Sequence, residues 1–204
     1  GRVANSGFGS SQVAKDRREA VAQGQMWGLL AAVDSDGYKA WGRQIVQALD
    51  VQDRLPSEWY LTRDDSIYTQ LLDESHWTPE NTEWYLAALG QVGAYNAEFA
   101  DQAVTKLSTV LINPSYSDEQ LAMAAMALHQ VINVRPALFD PMVTEQVITA
   151  AKQYILDRND ERYPLTAVYL LPLLAHIDLE HTVSEGLNYR QVTEPAFKNL
   201  QVAN

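Results

Sequence analysis

The segment LLPLLAHIDLEHTVSEG, residues 170–186, places two histidines among three acidic side chains. Imidazole nitrogens and carboxylate oxygens are common zinc ligands, and His176 and Glu180 share a helix face because they are four residues apart. His176 and His181 are five residues apart, which turns them about 140° from each other around a helix. The order also differs from the zinc-protease motif, in which two histidines are four apart.

We therefore predict no metal cofactor and interpret the segment as the solvent-facing end of a buried helix. A metal bound there would use one of two pairs, His176 with Glu180 or Asp178 with His181, of which the first is favoured, helped by groups from elsewhere in the fold.

Acidic pairs at Asp64-Asp65 and Asp73-Glu74 form a second candidate. Paired carboxylates bind divalent cations, and in glycoside hydrolases they act as acid and base. Adjacent residues of a helix point about 100° apart, however, and the positions where a third acid would complete a cation motif hold Ile67 and Tyr68. We interpret the acids as solvated charges and predict that Asp64 or Asp65 caps the short helix that follows.

Aromatic side chains flank that short helix, with Trp59-Tyr60 before it and Trp77 after it. Ring faces bordered by carboxylates suit sugars, and they also suit the hot spots of protein interfaces. The alternative is that the rings fill a joint between helices. The candidate binding residues are Trp59, Tyr60, Asp64, Asp65 and Trp77. No catalytic residue is assigned, because the chain has no nucleophile-elbow, phosphate-loop or kinase motif.

Composition excludes several classes of partner. The 204 residues carry a formal net charge of −11, which repels a phosphate backbone, so we predict no nucleic-acid partner. The longest apolar runs fall short of the roughly 20 residues that span a bilayer, so no membrane span is expected. The absence of cysteine excludes disulfides and thiolate metal sites. The chain begins with Gly1, which favours a processed secreted or periplasmic protein or an excised domain.

Apolar residues at helical spacing predict an all-α fold. Two helices are expected between residues 11 and 49, and five more at residues 79–95, 97–112, 118–134, 141–157 and 164–176. Capping signals open several of them: Thr78-Pro79 and Asp140-Pro141 pair a cap with proline at the first helical position, and Ser117 with Gln120 has capping-box spacing.

Three features interrupt this regularity. Residues 50–66, DVQDRLPSEWYLTRDDS, contain Pro56 and are predicted to be a connection into a short helix at residues 67–74. Pro172 is expected to kink the last helix. His129 lies within the most apolar helix and is predicted to be buried, with Gln91 or Tyr169 as its hydrogen-bond partner.

An internal repeat accompanies the helices. Residues 25–49, QMWGLLAAVDSDGYKAWGRQIVQAL, align without a gap to residues 83–107, EWYLAALGQVGAYNAEFADQAVTKL, and looser copies follow. Each copy reads as a helix, a turn and a second helix. Pairs that recur at about 39 to 45 residues resemble HEAT and armadillo repeats over residues 12–185. The resemblance implies antiparallel hairpins stacked as a short right-handed α-solenoid, and an irregular multi-helix bundle is the alternative.

The expected layout is a flexible lead-in at residues 1–10, one domain at residues 11–187 with an irregular insertion near residues 50–78, and an irregular tail at residues 188–204. We expect a non-catalytic domain without a cofactor, which binds another protein or another domain of a longer parent chain through a face that includes the insertion. The alternative is an all-helical enzyme fragment resembling an α/α-toroid, which acts on carbohydrate or depends on a metal and uses acids near residues 58–74. The compartment and the oligomeric state stay open.

Overall fold

The computed structural model of the protein describes residues 46–156 and 162–177, together with residues 26, 40 and 42–44. This part of the chain contains helices and no strand, so the all-α prediction is confirmed. The α-helices are α1 (Val51–Thr62), α2 (Tyr68–Leu72), α3 (Thr82–Tyr95), α4 (Ala97–Leu111), α5 (Asp118–Val134), α6 (Pro141–Ala151) and α7 (Pro164–Leu174). Short 3₁₀ turns lie at Asp65–Ile67, Glu74–His76 and Pro136–Leu138, and a π-helical turn at Lys152–Leu156 continues α6.

The chain divides into two compact units, Gly1–Ala88 and Leu89–Asn204. This division is finer than the single domain predicted for residues 11–187, whose outer boundaries lie outside the described residues. The two helices predicted before residue 50 fall largely outside them, and the lead-in at residues 1–10 and the tail at residues 188–204 do so entirely.

Helix α1 occupies residues predicted from the sequence to be a connection, so that prediction is wrong. Pro56 lies inside the helix and has no amide hydrogen to donate to the carbonyl of Gln52, four residues earlier. That carbonyl accepts hydrogen bonds from the Tyr85 hydroxyl and, at 3.5 Å, from the Asn81 side-chain amide. Side chains from later in unit 1 therefore replace the bond that the proline removes. The helix ends at Thr62, and the following residue, Arg63, has a left-handed backbone conformation.

Asn81 is fully buried at the centre of a polar network in unit 1. Its side-chain oxygen accepts from the Thr78 amide at 2.7 Å, and its Nδ2 donates to the Asp53 carboxylate at 3.0 Å and to the His76 carbonyl at 3.2 Å. Asp53 is itself only 3% exposed. One amide side chain thus joins α1, the turn Glu74–His76 and the residues before α3, and it satisfies polar groups that are costly to bury unpaired.

Three of the predicted helix caps are confirmed. Asp64 accepts from the Ser66 amide at 2.9 Å ahead of α2, and Asp140 accepts from the Val143 amide at 2.9 Å in α6. Ser117 and Gln120 form the complete capping box of α5, in which each side chain bonds the other residue's backbone amide. These caps are local in sequence, and they fix where the helices begin.

The predicted cap at Thr78 is wrong. Helix α3 begins at Thr82, three residues later than expected, and the Thr78 hydroxyl is buried with no hydrogen-bond partner among the described residues. The Thr78 amide bonds Asn81, and the Thr78 carbonyl accepts from the Thr82 hydroxyl at 2.7 Å. Residues 78–81 therefore form a turn that is organised by Asn81.

Two pairs of parallel helices organise unit 2. Helices α3 and α5 run in the same direction, because Gly90 lies against Ala127 and Gly93 lies against Val131. Just beyond α5, the Arg135 guanidinium donates to the carbonyls of Gly93 and Ala94 at 3.0 and 3.2 Å. The guanidinium therefore supplies hydrogen-bond donors to carbonyls in the last turn of α3, where no further helical amide is available.

Helices α5 and α7 also run in the same direction. Near their N-termini, the Asp118 carboxylate of α5 accepts from the backbone amides of Leu165 and Thr166, each at 2.9 Å, and from the Thr166 hydroxyl at 2.8 Å. Near their other ends, His129 of α5 lies beside His176, which follows α7. Helix α6 packs against both α4 and α7.

The substitution Asp118→Ala is expected to lower the free energy of unfolding by about 2 kcal/mol, because it removes the acceptor for two amides at the start of α7 and for the buried Thr166 hydroxyl. Chemical denaturation measures the loss. Asp101→Ala, at an exposed aspartate of α4, is the matched control and is expected to change stability by no more than about 0.5 kcal/mol. Equal losses in the two variants would contradict the capping role.

Candidate functional site

Trp59 and Tyr60, the first pair of predicted binding residues, are buried in unit 1, with 2% and 6% of their surfaces exposed. Their rings meet edge to face with centroids 5.4 Å apart. The Arg63 guanidinium lies 4.3 Å from the centre of the Trp59 ring and 5.5 Å from that of Tyr60, in cation–π geometry. In this arrangement neither ring offers an open face on which a sugar could stack.

The remaining predicted residues have different surroundings. Asp64 and Asp65 are exposed, and hydrogen bonds from the side chain and backbone of Ser66 lower the pKa of Asp64. Trp77 is half-buried, and its indole N–H donates to the Leu71 carbonyl at 3.0 Å. Two of the three rings are therefore buried while both carboxylates are exposed, so the five residues do not form one open surface on which rings and carboxylates could contact a sugar together. Their assignment to ligand binding stays a prediction.

Two histidines meet in unit 2. The rings of His129 and His176 lie with centroids 5.7 Å apart and planes tilted by 49°. His129 is half-buried and not fully buried as predicted, because it lies at the surface beside His176. Its partial burial, together with the neighbouring His176, lowers its pKa. His176 is exposed, as predicted, and the Phe139 ring lies 6.0 Å from it, edge to face. His129 therefore has the His176 ring as a neighbour. Glu180, the residue predicted to share a metal with His176, lies outside the described residues.

Several large apolar side chains of unit 2 are exposed. Tyr95, the last residue of α3, is 70% exposed, and Val134, the last residue of α5, is 57% exposed. The bonds from Arg135 to Gly93 and Ala94 place the ends of these two helices side by side. Met126, Met142, Leu165 and Tyr169 are further exposed apolar residues. Exposed methionine and tyrosine are more frequent in protein interfaces than on the rest of a protein surface.

Comparisons with protein-family models, with curated proteins and with solved structures find no match to this chain. Among the described residues, no group of three or more histidine, aspartate or glutamate side chains is placed to hold a metal ion. No helix within residues 46–156 and 162–177 is both long enough and apolar enough to cross a membrane.

Sequence reasoning missed both the Asn81 network and the histidine pair. Asn81 lies in the polar stretch TPEN, where a buried amide gives no signal in hydrophobic periodicity. The two histidines lie at similar distances from the starts of α5 and α7, so their contact follows from the side-by-side packing of these helices, which the sequence pattern did not predict.

Proposed function

We propose that the chain is a non-catalytic helical-repeat domain that binds another protein or another domain of a longer parent chain. The parallel pairs α3 with α5 and α5 with α7 support the repeat arrangement, because a further helix lies between the members of each pair in the chain. Stacked helical hairpins of the HEAT and armadillo type have this order. The resemblance noted in the sequence and these contacts point to the same arrangement.

The observation that carries the binding proposal is the exposed pair Tyr95 and Val134, which we call the end patch. Burial of such apolar side chains against a partner removes their surface from water, which is the main favourable contribution to association. Arg135, beside them, is half-buried and fixed by two backbone carbonyls. A rigid arginine beside an exposed tyrosine matches the residue types that dominate interface energetics. We place the contact surface at the end patch and not at residues 50–80, because Trp59 and Tyr60 are buried whereas Tyr95 and Val134 are exposed.

A double variant, Tyr95→Ser with Val134→Ser, tests the proposal. Proteins captured from the native cell by the immobilised chain are identified first, and the affinity of the purified partner is then measured for both forms. We expect the double variant to bind at least about tenfold more weakly, since it removes two apolar contacts. Both side chains are largely exposed, and circular dichroism checks that the helices of the variant are intact.

Met142→Ser is the matched control, because Met142 is an apolar side chain of α6 that is 49% exposed and has no part in the end patch. Its affinity for the same partner is expected to equal that of the unaltered chain. Equal weakening by Met142→Ser and by the double variant would contradict a role for the end patch. A rise in melting temperature with oligosaccharides, without any protein partner, would instead favour the carbohydrate-active alternative.

A further inference from the structure

The contact between His129 and His176 follows from the register of two parallel helices. Asp118 holds the start of α7 beside the start of α5, and about three helical turns farther along both segments the two imidazoles meet. The edge of the Phe139 ring lies against His176. Fixed backbones and a flanking ring therefore hold two metal-ligating groups together at the surface of unit 2.

The separation of the rings suits one shared ion. Zinc binds imidazole nitrogen at about 2.0–2.1 Å in tetrahedral geometry, which puts the centroids of two ligating rings roughly 5 Å apart. The observed distance of 5.7 Å between the two centroids is close to this separation. A metal ion binds the neutral form of the imidazole ring.

We propose that His129 and His176 together bind one divalent transition-metal ion of the Zn²⁺, Ni²⁺ and Cu²⁺ class through one nitrogen of each ring. Imidazole favours these ions, whereas Mg²⁺ and Ca²⁺ favour oxygen ligands. Two protein ligands leave the other coordination positions to water. The exposure of His176 gives the ion access from solvent, and the net charge of −11 attracts cations to the protein.

Calorimetric titration of the full chain with ZnCl₂ and NiCl₂ at neutral pH tests the site. We expect one ion to bind per chain, with a rise in melting temperature that MgCl₂ and CaCl₂ do not produce, because a bound ion links α5 to the segment after α7. His176→Gln and His129→Gln are each expected to weaken Zn²⁺ binding by at least about tenfold. With Cu²⁺, the electron paramagnetic resonance spectrum is expected to show two nitrogen ligands in the unaltered chain and fewer in each variant.

His76→Gln is the matched control, because His76 is a histidine of unit 1 whose Nε2 lies 3.9 Å from an Asp73 carboxylate oxygen. Its Zn²⁺ affinity is expected to equal that of the unaltered chain. The proposal is overturned if His76→Gln weakens binding as much as His176→Gln does, or if neither His129→Gln nor His176→Gln changes the affinity. Absence of binding at millimolar Zn²⁺ would also overturn it. Because His176 is exposed, its variant is expected to fold and to keep the test informative.

Discussion

The substitution Asn81→Ala is expected to lower the free energy of unfolding by about 3 kcal/mol, because it removes several hydrogen bonds from a site with no access to water. The Thr78 amide and the His76 carbonyl lose their bonds to this side chain. Asp53, a nearly fully buried carboxylate, loses a donor at 3.0 Å. A buried carboxyl group that loses a hydrogen-bond donor destabilises the fold more than an exposed one does. Urea denaturation of the variant and the unaltered chain measures the difference.

Asn96→Ala is the control for this prediction. Asn96 is the N-cap of α4, and its side chain accepts a solvent-exposed hydrogen bond from the Glu98 amide at 2.9 Å. Loss of an exposed cap of this kind costs about 1 kcal/mol. The Asn81 variant should therefore lose clearly more stability than the Asn96 variant. Similar losses in the two variants would show that the Asn81 network contributes no more than an ordinary surface cap.

The parts of the fold that were predicted correctly are determined by neighbouring residues. The capping box of Ser117 and Gln120 and the cap at Asp140 each satisfy backbone amides within three residues, so the sequence alone contains both partners. Helix α4 was expected at residues 97–112 and lies at Ala97–Leu111 for the same reason, since its apolar residues keep helical spacing between a cap and a loop.

Helix α1 was missed because the compensation for its proline comes from distant residues. Pro56 is a strong local signal against a helix. The groups that bond the released Gln52 carbonyl, Tyr85 and Asn81, lie 33 and 29 residues away in the sequence. A local signal for the helix was present, because Leu55 and Trp59 are both buried at a spacing of four residues. The helix forms because the tertiary hydrogen bonds to the Gln52 carbonyl compensate for the proline.

The candidate site shows the same limit. The residue types in Trp59, Tyr60 and Trp77 suggested a ligand surface, but exposure depends on how the helices pack, and the first two rings are buried. For the histidines, His176 was expected to have a partner within its own helix, and His129 was expected to bond Gln91 or Tyr169. His129 and His176 are 47 residues apart and meet because two parallel helices are in register, which sequence spacing within one helix does not report.

The second large effect is expected from Gly90→Ala, which should lower the free energy of unfolding by about 2 kcal/mol despite the better helix propensity of alanine. A Cβ at position 90 would lie 2.7 Å from the Cβ and 2.8 Å from the Cα of Ala127. These distances are too short for carbon atoms, and the backbone of α5 cannot move aside as a flexible side chain can. Helices α3 and α5 would have to separate, with loss of packing in the core of unit 2.

Ala127→Gly gives the matched test, because it removes the Ala127 Cβ, the nearest of the three atoms that the new methyl group would meet. Alone, Ala127→Gly is expected to cost about 1 kcal/mol through reduced helix propensity. Combined with Gly90→Ala, it should restore part of the lost stability, with a coupling of at least about 1 kcal/mol in a double-mutant cycle. A higher melting temperature for Gly90→Ala alone would contradict this prediction. It would show that the gain in helix propensity exceeds the cost of the clash with Ala127.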